Sequence, residues 1–203
     1  MLNNFYIQRN LKALGYYKGN IDEIIGPQTK QAIKDFQSDF NLSVDGIYGS
    51  QTDACLQQVI KECQEILGTK TDGMWGKNTE DLYAKFNNIK HFTHSEFKCQ
   101  CGCNQDRIDI RLVKTLDEIR DYYGKPAVIT SGYRCVKHNK DVGGVTGSWH
   151  TKNKASDFYV QGVNVTDLLS HCIDLRNQGK IRYTYTNNTS MNGVVHIDIG
   201  GIR

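Results

Sequence analysis

The stretch Asp45-Gly46-Ile47-Tyr48-Gly49-Ser50-Gln51-Thr52 decides the fold of the first half of the chain, because the pattern occurs three times. An earlier copy reads Asp22-Glu23-Ile24-Ile25-Gly26-Pro27-Gln28-Thr29, and a later one Asp72-Gly73-Met74-Trp75-Gly76-Lys77-Asn78-Thr79. Self-similarity at this period marks a repeated supersecondary unit. Asp followed by Gly, or by Glu in the first copy, suits a tight turn. The later Gly permits a positive φ, and the Thr can cap the helix that follows. Between the turns, apolar residues recur at helical spacing: Ile7, Leu11 and Leu14; Ile33, Phe36 and Phe40; Leu56, Val59, Ile60 and Cys63; Leu82, Tyr83 and Phe86. Residues 1–88 are predicted to form an all-α domain of the three-helix repeat type.

Composition narrows the class. The chain has 203 residues, 38% hydrophobic and 23% charged, enough for two small folded domains. No apolar run approaches a membrane span, so no membrane insertion is expected. The net charge of +3 is far from a nucleic-acid footprint, and a monomer without nucleic acid is expected. The first ten residues lack a basic segment followed by an apolar stretch. That predicts synthesis in the cytoplasm without a signal peptide, in a reducing compartment. The seven cysteines cannot all pair within one chain. Cys99-Gln-Cys101-Gly-Cys103 is their one cluster. A structural zinc there lacks a fourth ligand and the usual wider spacing, so free thiols are expected.

The first half also carries a resemblance. Gln8, Leu11, Leu14-Gly15, Tyr17, Gly26-Pro27-Gln28-Thr29, Phe36-Gln37 and Val44-Asp45-Gly46 resemble the peptidoglycan-binding type 1 domain over roughly residues 4 to 60. The resemblance implies that this domain holds bacterial peptidoglycan near an enzyme.

From residue 89 to 203 the pattern changes. Residues 88 to 95 read as a connector. Ile108, Leu112, Leu116 and Ile119 predict a helix ending near Gly124, and Ala127 to Thr130 a short strand. Ala155 to Val160 is a second candidate strand and Val194 to Ile199 a third. Val165 to Arg176 is helical, with Thr166 as its cap. Helices mixed with separated short strands indicate an α+β domain, here with a small, mainly antiparallel sheet.

Three residues of this domain suggest metal chemistry. His150 and Asp157 stand seven positions apart and His196 is distant in sequence. Two imidazoles and a carboxylate form a normal hydrolytic zinc set, with one position left open. His196 and Asp198, two apart on a strand, share a face, so one can bind the metal while the other acts beside it. The opposite assignment makes Asp198 the third ligand and His196 the base. Asp198 as a partner that merely orients a ligand is a further reading. Trp149, beside His150, is either a core residue or part of a cleft wall.

Ser131-Gly132-Tyr133-Arg134-Cys135, His138-Asn139, Val142-Gly143-Gly144, Ser148-Trp149-His150, Ala155-Ser156-Asp157 and His196-Ile197-Asp198 together resemble the zinc D-alanyl-D-alanine carboxypeptidases of the LAS-type metallopeptidases, over roughly residues 92 to 200. The resemblance implies one catalytic Zn2+ held by His150, Asp157 and His196. It implies that Arg134 faces the substrate near the scissile bond, and that Ser131, Tyr133 and Ser148 contact the peptide. Two positions depart from the family. Asn153 stands where a Gly is frequent, and Asn is the next most tolerant residue. Met191-Asn192-Gly193-Val194-Val195 lacks the base that many relatives carry just upstream of the last ligand. Asp198 is then the expected catalytic base and Arg134 its partner at the oxyanion.

The expectation is a two-domain peptidoglycan hydrolase that cleaves an amide bond of the stem peptide or cross-link with zinc-activated water. With no export signal it resembles a bacteriophage endolysin, acting on the bacterial cell wall after release. A bacterial D-Ala-D-Ala carboxypeptidase of wall remodelling and a non-catalytic wall-binding protein are the competing readings.

Overall fold

The computed structural model describes residues 1–186 and 193–202. The chain forms two compact units, Met1–Asn88 and Ile89–Ile202. Met191 and Asn192, examined above for a base, lie outside the described residues.

The first unit contains α1 (Asn4–Ala13), α2 (Pro27–Asp39), α3 (Ser50–Leu67) and α4 (Lys77–Ala84). The apolar stripes seen in the sequence meet in its core, where Leu11, Ile33, Phe36, Leu56, Val59, Ile60 and Leu67 are fully buried. The repeated turns work differently from the expectation. The residue that caps each following helix is the later glycine of the turn, Gly26, Gly49 or Gly76, and Thr29, Thr52 and Thr79 sit within the first helical turn. Those cap glycines have φ near −80°, an ordinary value. The positive φ falls earlier in each turn, on Glu23 (62°), Gly46 (74°) and Gly73 (76°).

A buried glutamine from the preceding helix organises each turn. The Nε2 of Gln37 donates to Asp45 Oδ1 (2.8 Å), the Ile47 carbonyl (3.0 Å) and Thr52 Oγ1 (3.1 Å), and its Oε1 accepts from Gly46 N–H (2.9 Å). Gln64 repeats the pattern with Asp72, Met74, Thr79 and Gly73. Gln8 does so with Asp22, Ile24 and Thr29, its Oε1 accepting from both Asp22 and Glu23 N–H. The Thr is retained as a partner of the amide, so each repeat is a polar network whose glutamine and threonine are buried while its aspartate reaches toward the surface. Asn10 of α1 spans to the third turn, donating to the Gly73 carbonyl and accepting from Trp75 N–H, both at 2.9 Å.

The second unit is an α+β domain. Its elements are α5 (Ile110–Tyr123), β1 (Ala127–Ser131), α6 (Val136–Asp141), β2 (Ala155–Val160), α7 (Val165–Asn177), β3 (Tyr183–Thr186) and β4 (Val195–Asp198), with 3-10 turns at His94–Phe97 and Trp149–Lys152. The four strands pair antiparallel in the order β1-β2-β4-β3. Helices α5 and α7 pack on this sheet. Side chains alternate across a strand. Phe158 and Val160 of β2 and Val195 and Ile197 of β4 are buried with Leu112, Leu116, Leu168 and Cys172 of the helices. The intervening residues Asp157, His196 and Asp198 therefore face the other side. The cap of α7 is Asn164, whose side chain accepts from Thr166 N–H, so Thr166 is capped rather than capping.

Candidate metal centre

Register brings the two strand-borne residues together. Asp157 of β2 stands directly opposite His196 of β4. His150 arrives from the 3-10 turn before β2. Ser148 caps that turn by accepting from His150 N–H at 3.4 Å. The turn ends at Asn153 in the left-handed region, φ 65°, which directs the chain into β2. This is the position where Gly is frequent in the similar family, and Asn supplies the same conformation.

The three donor atoms converge. His150 Nε2 lies 3.2 Å from Asp157 Oδ1 and 3.3 Å from His196 Nδ1, and His196 Nδ1 lies 2.7 Å from Asp157 Oδ1. Ligands at about 2.0–2.1 Å from a tetrahedral zinc stand about 3.3–3.4 Å apart, so two of the three edges already have that length. The third is that of an imidazole–carboxylate hydrogen bond. All three residues are buried.

Contacts behind the two imidazoles fix which nitrogen faces inward. His150 Nδ1–H donates to the Gly132 carbonyl at 2.7 Å, which leaves the Nε2 lone pair directed at the centre. Gly132 is required there, since a Cβ would meet the Phe97 backbone at 2.6 Å. The outer nitrogen of His196, Nε2, faces Asp198 Oδ2 at 3.6 Å. Asp198 is thus behind the ring, on the side away from His150 and Asp157. Its carboxylate is 2% exposed, accepts from Gly200 N–H at 3.3 Å and pairs with Arg182 Nε at 3.4 Å.

Burial alone would raise the Asp157 carboxyl, yet the hydrogen bonds and charges of His150 and His196 hold it well below the usual carboxylate range. Burial works in the opposite sense on His196, and there Asp157 and Asp198 outweigh it and raise the imidazole. The set combines one firm anion with two imidazoles, the donor set of a divalent transition-metal site.

A bulge places the arginine. The β1–β2 pairing shifts register between Ile129 and Ser131, which leaves Ser131 opposite Asp157. Arg134 follows three residues later. Its Nε donates to Ser131 Oγ at 2.7 Å, its Nη2 donates to Asp157 Oδ2, and its backbone N–H donates to the His150 carbonyl at 3.1 Å. The guanidinium therefore lies against the outer oxygen of the carboxylate whose inner oxygen faces the histidines. Tyr133 is buried, and its hydroxyl donates to Gln105 Oε1 at 2.7 Å. Ser131, Arg134, His150, Asp157, His196 and Asp198 thus share one neighbourhood, whereas the Tyr133 side chain is directed into the fold. Trp149 packs its indole against Gly200, where a Cβ would approach within 2.3 Å, beneath Lys152 and Arg182.

Sequence reasoning missed Gly132 and Tyr185. Tyr185 stands opposite His196 on β3, with ring centroids 4.9 Å apart. The alternation Tyr183-Thr184-Tyr185-Thr186 is a β signal that could have located it.

Comparison with known proteins places both halves of the chain among known families. The family model described as Peptidase M15 matches residues 90–198, more than half of the chain. The model described as a putative peptidoglycan binding domain matches residues 6–56. Peptidoglycan L,D-endopeptidase MepK of Escherichia coli strain K12 is 31% identical over 84 residues, covering 39% of this chain and 43% of the relative. N-acetylmuramoyl-L-alanine amidase CwlL of Bacillus licheniformis is 48% identical over 61 residues, 27% of this chain and 17% of the relative. The spore cortex-lytic enzyme of Bacillus cereus is 38% identical over 55 residues, 27% of this chain and 21% of the relative. The chain therefore matches less than half the length of each of these proteins.

Proposed function

The chain belongs to the peptidase M15 family, and on that premise we propose that its second unit cleaves an amide bond of peptidoglycan at a zinc ion held by His150, Asp157 and His196. The convergence of three donor atoms, none more than 3.3 Å from the next, carries this reading. Zinc in such a set polarises a carbonyl and lowers the pKa of a water.

The chain's own residues have separable tasks in this proposal. Gly132 and Asp198 hold the two imidazoles with their lone pairs inward, so we assign Asp198 to the positioning of His196 rather than to proton transfer. Arg134 presents a fixed donor fork beside the centre, suited to a substrate carboxylate or to charge developing on the carbonyl oxygen. Ser131 orients that fork, Ser148 fixes the turn that carries His150, and Tyr133 anchors the segment between them. The first unit holds the polymer. Ile24 and Ile47 support this, because they occupy equivalent places in two of the repeated turns and both are largely exposed. Tethering to an immobile polymer raises the local concentration of the catalytic unit.

Endopeptidase cleavage is the form we propose, because MepK, one of the relatives, is named as an L,D-endopeptidase. The relatives named above are bacterial and lend no support to phage lysis, so the proposal is one of chemistry and substrate. The test is digestion of purified peptidoglycan by the full chain, with released amino groups counted and the fragments identified by mass. Chelation and His150→Ala should each abolish release, and the fragments should show an internal cut. Release that survives both treatments would overturn the zinc mechanism.

A further inference from the structure

We propose that Cys99, Cys101, Cys103 and Cys135 form a second metal site, a tetrathiolate centre for a zinc-class divalent cation. It is independent of what the catalytic unit cuts. The sequence offered three of these residues at a spacing too tight for an ordinary structural site. The fold supplies the fourth, Cys135, the residue after Arg134.

All four sulfurs lie within 4.8 Å of one another. Cys99 Sγ is 3.4 Å from Cys101 Sγ, which is 3.5 Å from Cys135 Sγ. The corners of a tetrahedron with Zn–S bonds of about 2.3 Å lie about 3.8 Å apart. None of the four is in a disulfide. The backbone wraps around their common centre. Cys99 N–H donates to the Gln105 carbonyl at 2.9 Å and closes the loop, while Gly102 (φ 82°) and Asn104 (φ 59°) adopt the left-handed turns that fold it. Gln100 Nε2 ties the loop to β1 by donating to the Thr130 carbonyl at 2.8 Å.

The surroundings suit thiolates. Cys135 N–H points at Cys99 Sγ at 3.4 Å, His138 N–H at Cys135 Sγ at 3.3 Å, and His138 Nδ1 lies 3.3 Å from Cys99 Sγ. Backbone N–H groups aimed at sulfur stabilise negative charge there, as metal thiolates require. Cys99 is buried and Cys135 half-buried, while Cys101 and Cys103 are exposed and leave the site open to an entering ion. A disulfide would join two of these sulfurs and draw that pair away from the shared centre. The bound ion would clamp loop 99–105 to Cys135 and so brace Arg134 from behind.

Metal counting on the full chain, purified with reductant and zinc, tests the proposal. The wild type should carry about two equivalents of zinc, and His150→Ala and the double variant Cys101→Ser/Cys103→Ser about one each. Cobalt(II) loaded into His150→Ala should give thiolate-to-metal charge transfer in the near ultraviolet, and the double variant should lack it. Because the double variant could fail to fold, the single Cys103→Ser at its exposed position is measured beside it, with circular dichroism as control. One equivalent in the wild type together with none in His150→Ala would overturn the proposal. So would fully reduced His150→Ala that takes up neither zinc nor cobalt. If instead the wild type binds one equivalent and His150→Ala keeps it, the thiol site stands and the histidine site fails.

Discussion

Replacing Asp198 by asparagine separates two roles that a carboxylate next to a metal ligand can play. The Asp198 carboxylate faces the outer nitrogen of His196 at 3.6 Å, opposite the side on which His150 and Asp157 converge. Asparagine preserves the shape and can still accept from Gly200 N–H, but it removes one of the two charges, Asp157 and Asp198, that raise the imidazole. Loss of such a partner costs metal affinity about 10- to 100-fold. The 3.6 Å separation is longer than a hydrogen bond, which places the expected loss near the lower end, about tenfold or about 1.4 kcal/mol. Zinc affinity is read by competition with a chromogenic chelator, and turnover on peptidoglycan is then measured at saturating zinc. A positioning residue predicts weaker binding, with turnover restored to within about tenfold once the site is full. A general base contributes about 100- to 10,000-fold. Unchanged zinc affinity with a loss of that size at saturation would refute the positioning role and return Asp198 to proton transfer.

Three further outcomes are expected. Arg134→Lys keeps a positive charge but loses the fork shared between Ser131 and Asp157, so turnover should fall about 100-fold or more while zinc content stays constant; equal turnover would remove Arg134 from the reaction. Gln37→Ala strips partners from the second repeat turn, leaving Gly46 N–H unpaired and the Ile47 carbonyl with only its bond from Gly49 N–H, and should destabilise the first unit by about 1–3 kcal/mol; hydrogen exchange at Gly46 reports it locally, and full protection there would contradict the network. Asp109, buried and paired with Arg111 at 2.9 Å, has its carboxyl lowered below 3.8 despite burial. Its contribution is therefore complete above about pH 3.8 and is lost as pH falls through the lower folded value. Denaturation of Asp109→Asn should show a deficit of about 3–5 kcal/mol at neutral pH that shrinks only below that point, and a deficit independent of pH would exclude the ion pair.

Much of this was legible because it rests on period and spacing. The helical stripes from Ile7 to Phe86 and the β2 run Ala155–Val160 report directly which face is buried, and His150, Asp157 and His196 are residue types with few other joint uses. What the sequence hid depends on contacts between distant residues. Thr29, Thr52 and Thr79 carry a capping signal, but buried glutamines from preceding helices claim their hydroxyls, and no local pattern announces that. Asp198 shares the face of His196, as alternation requires, yet which of the two meets the ligand cluster depends on the register with β2. The fourth thiolate lies 36 residues from the first and could not be assigned to the cluster by spacing.

The pairing of Asp157 with His196 makes the centre a check on strand alignment. Neither residue can reach the other unless β2 and β4 meet in one frame, because sliding either strand by a single residue turns one of the two toward the helices. A metal ion that requires both would bind only the correctly aligned sheet, and by mass action would draw misaligned chains toward it. Zinc supplied during refolding should therefore raise the yield of native protein, a service the ion performs before any substrate arrives.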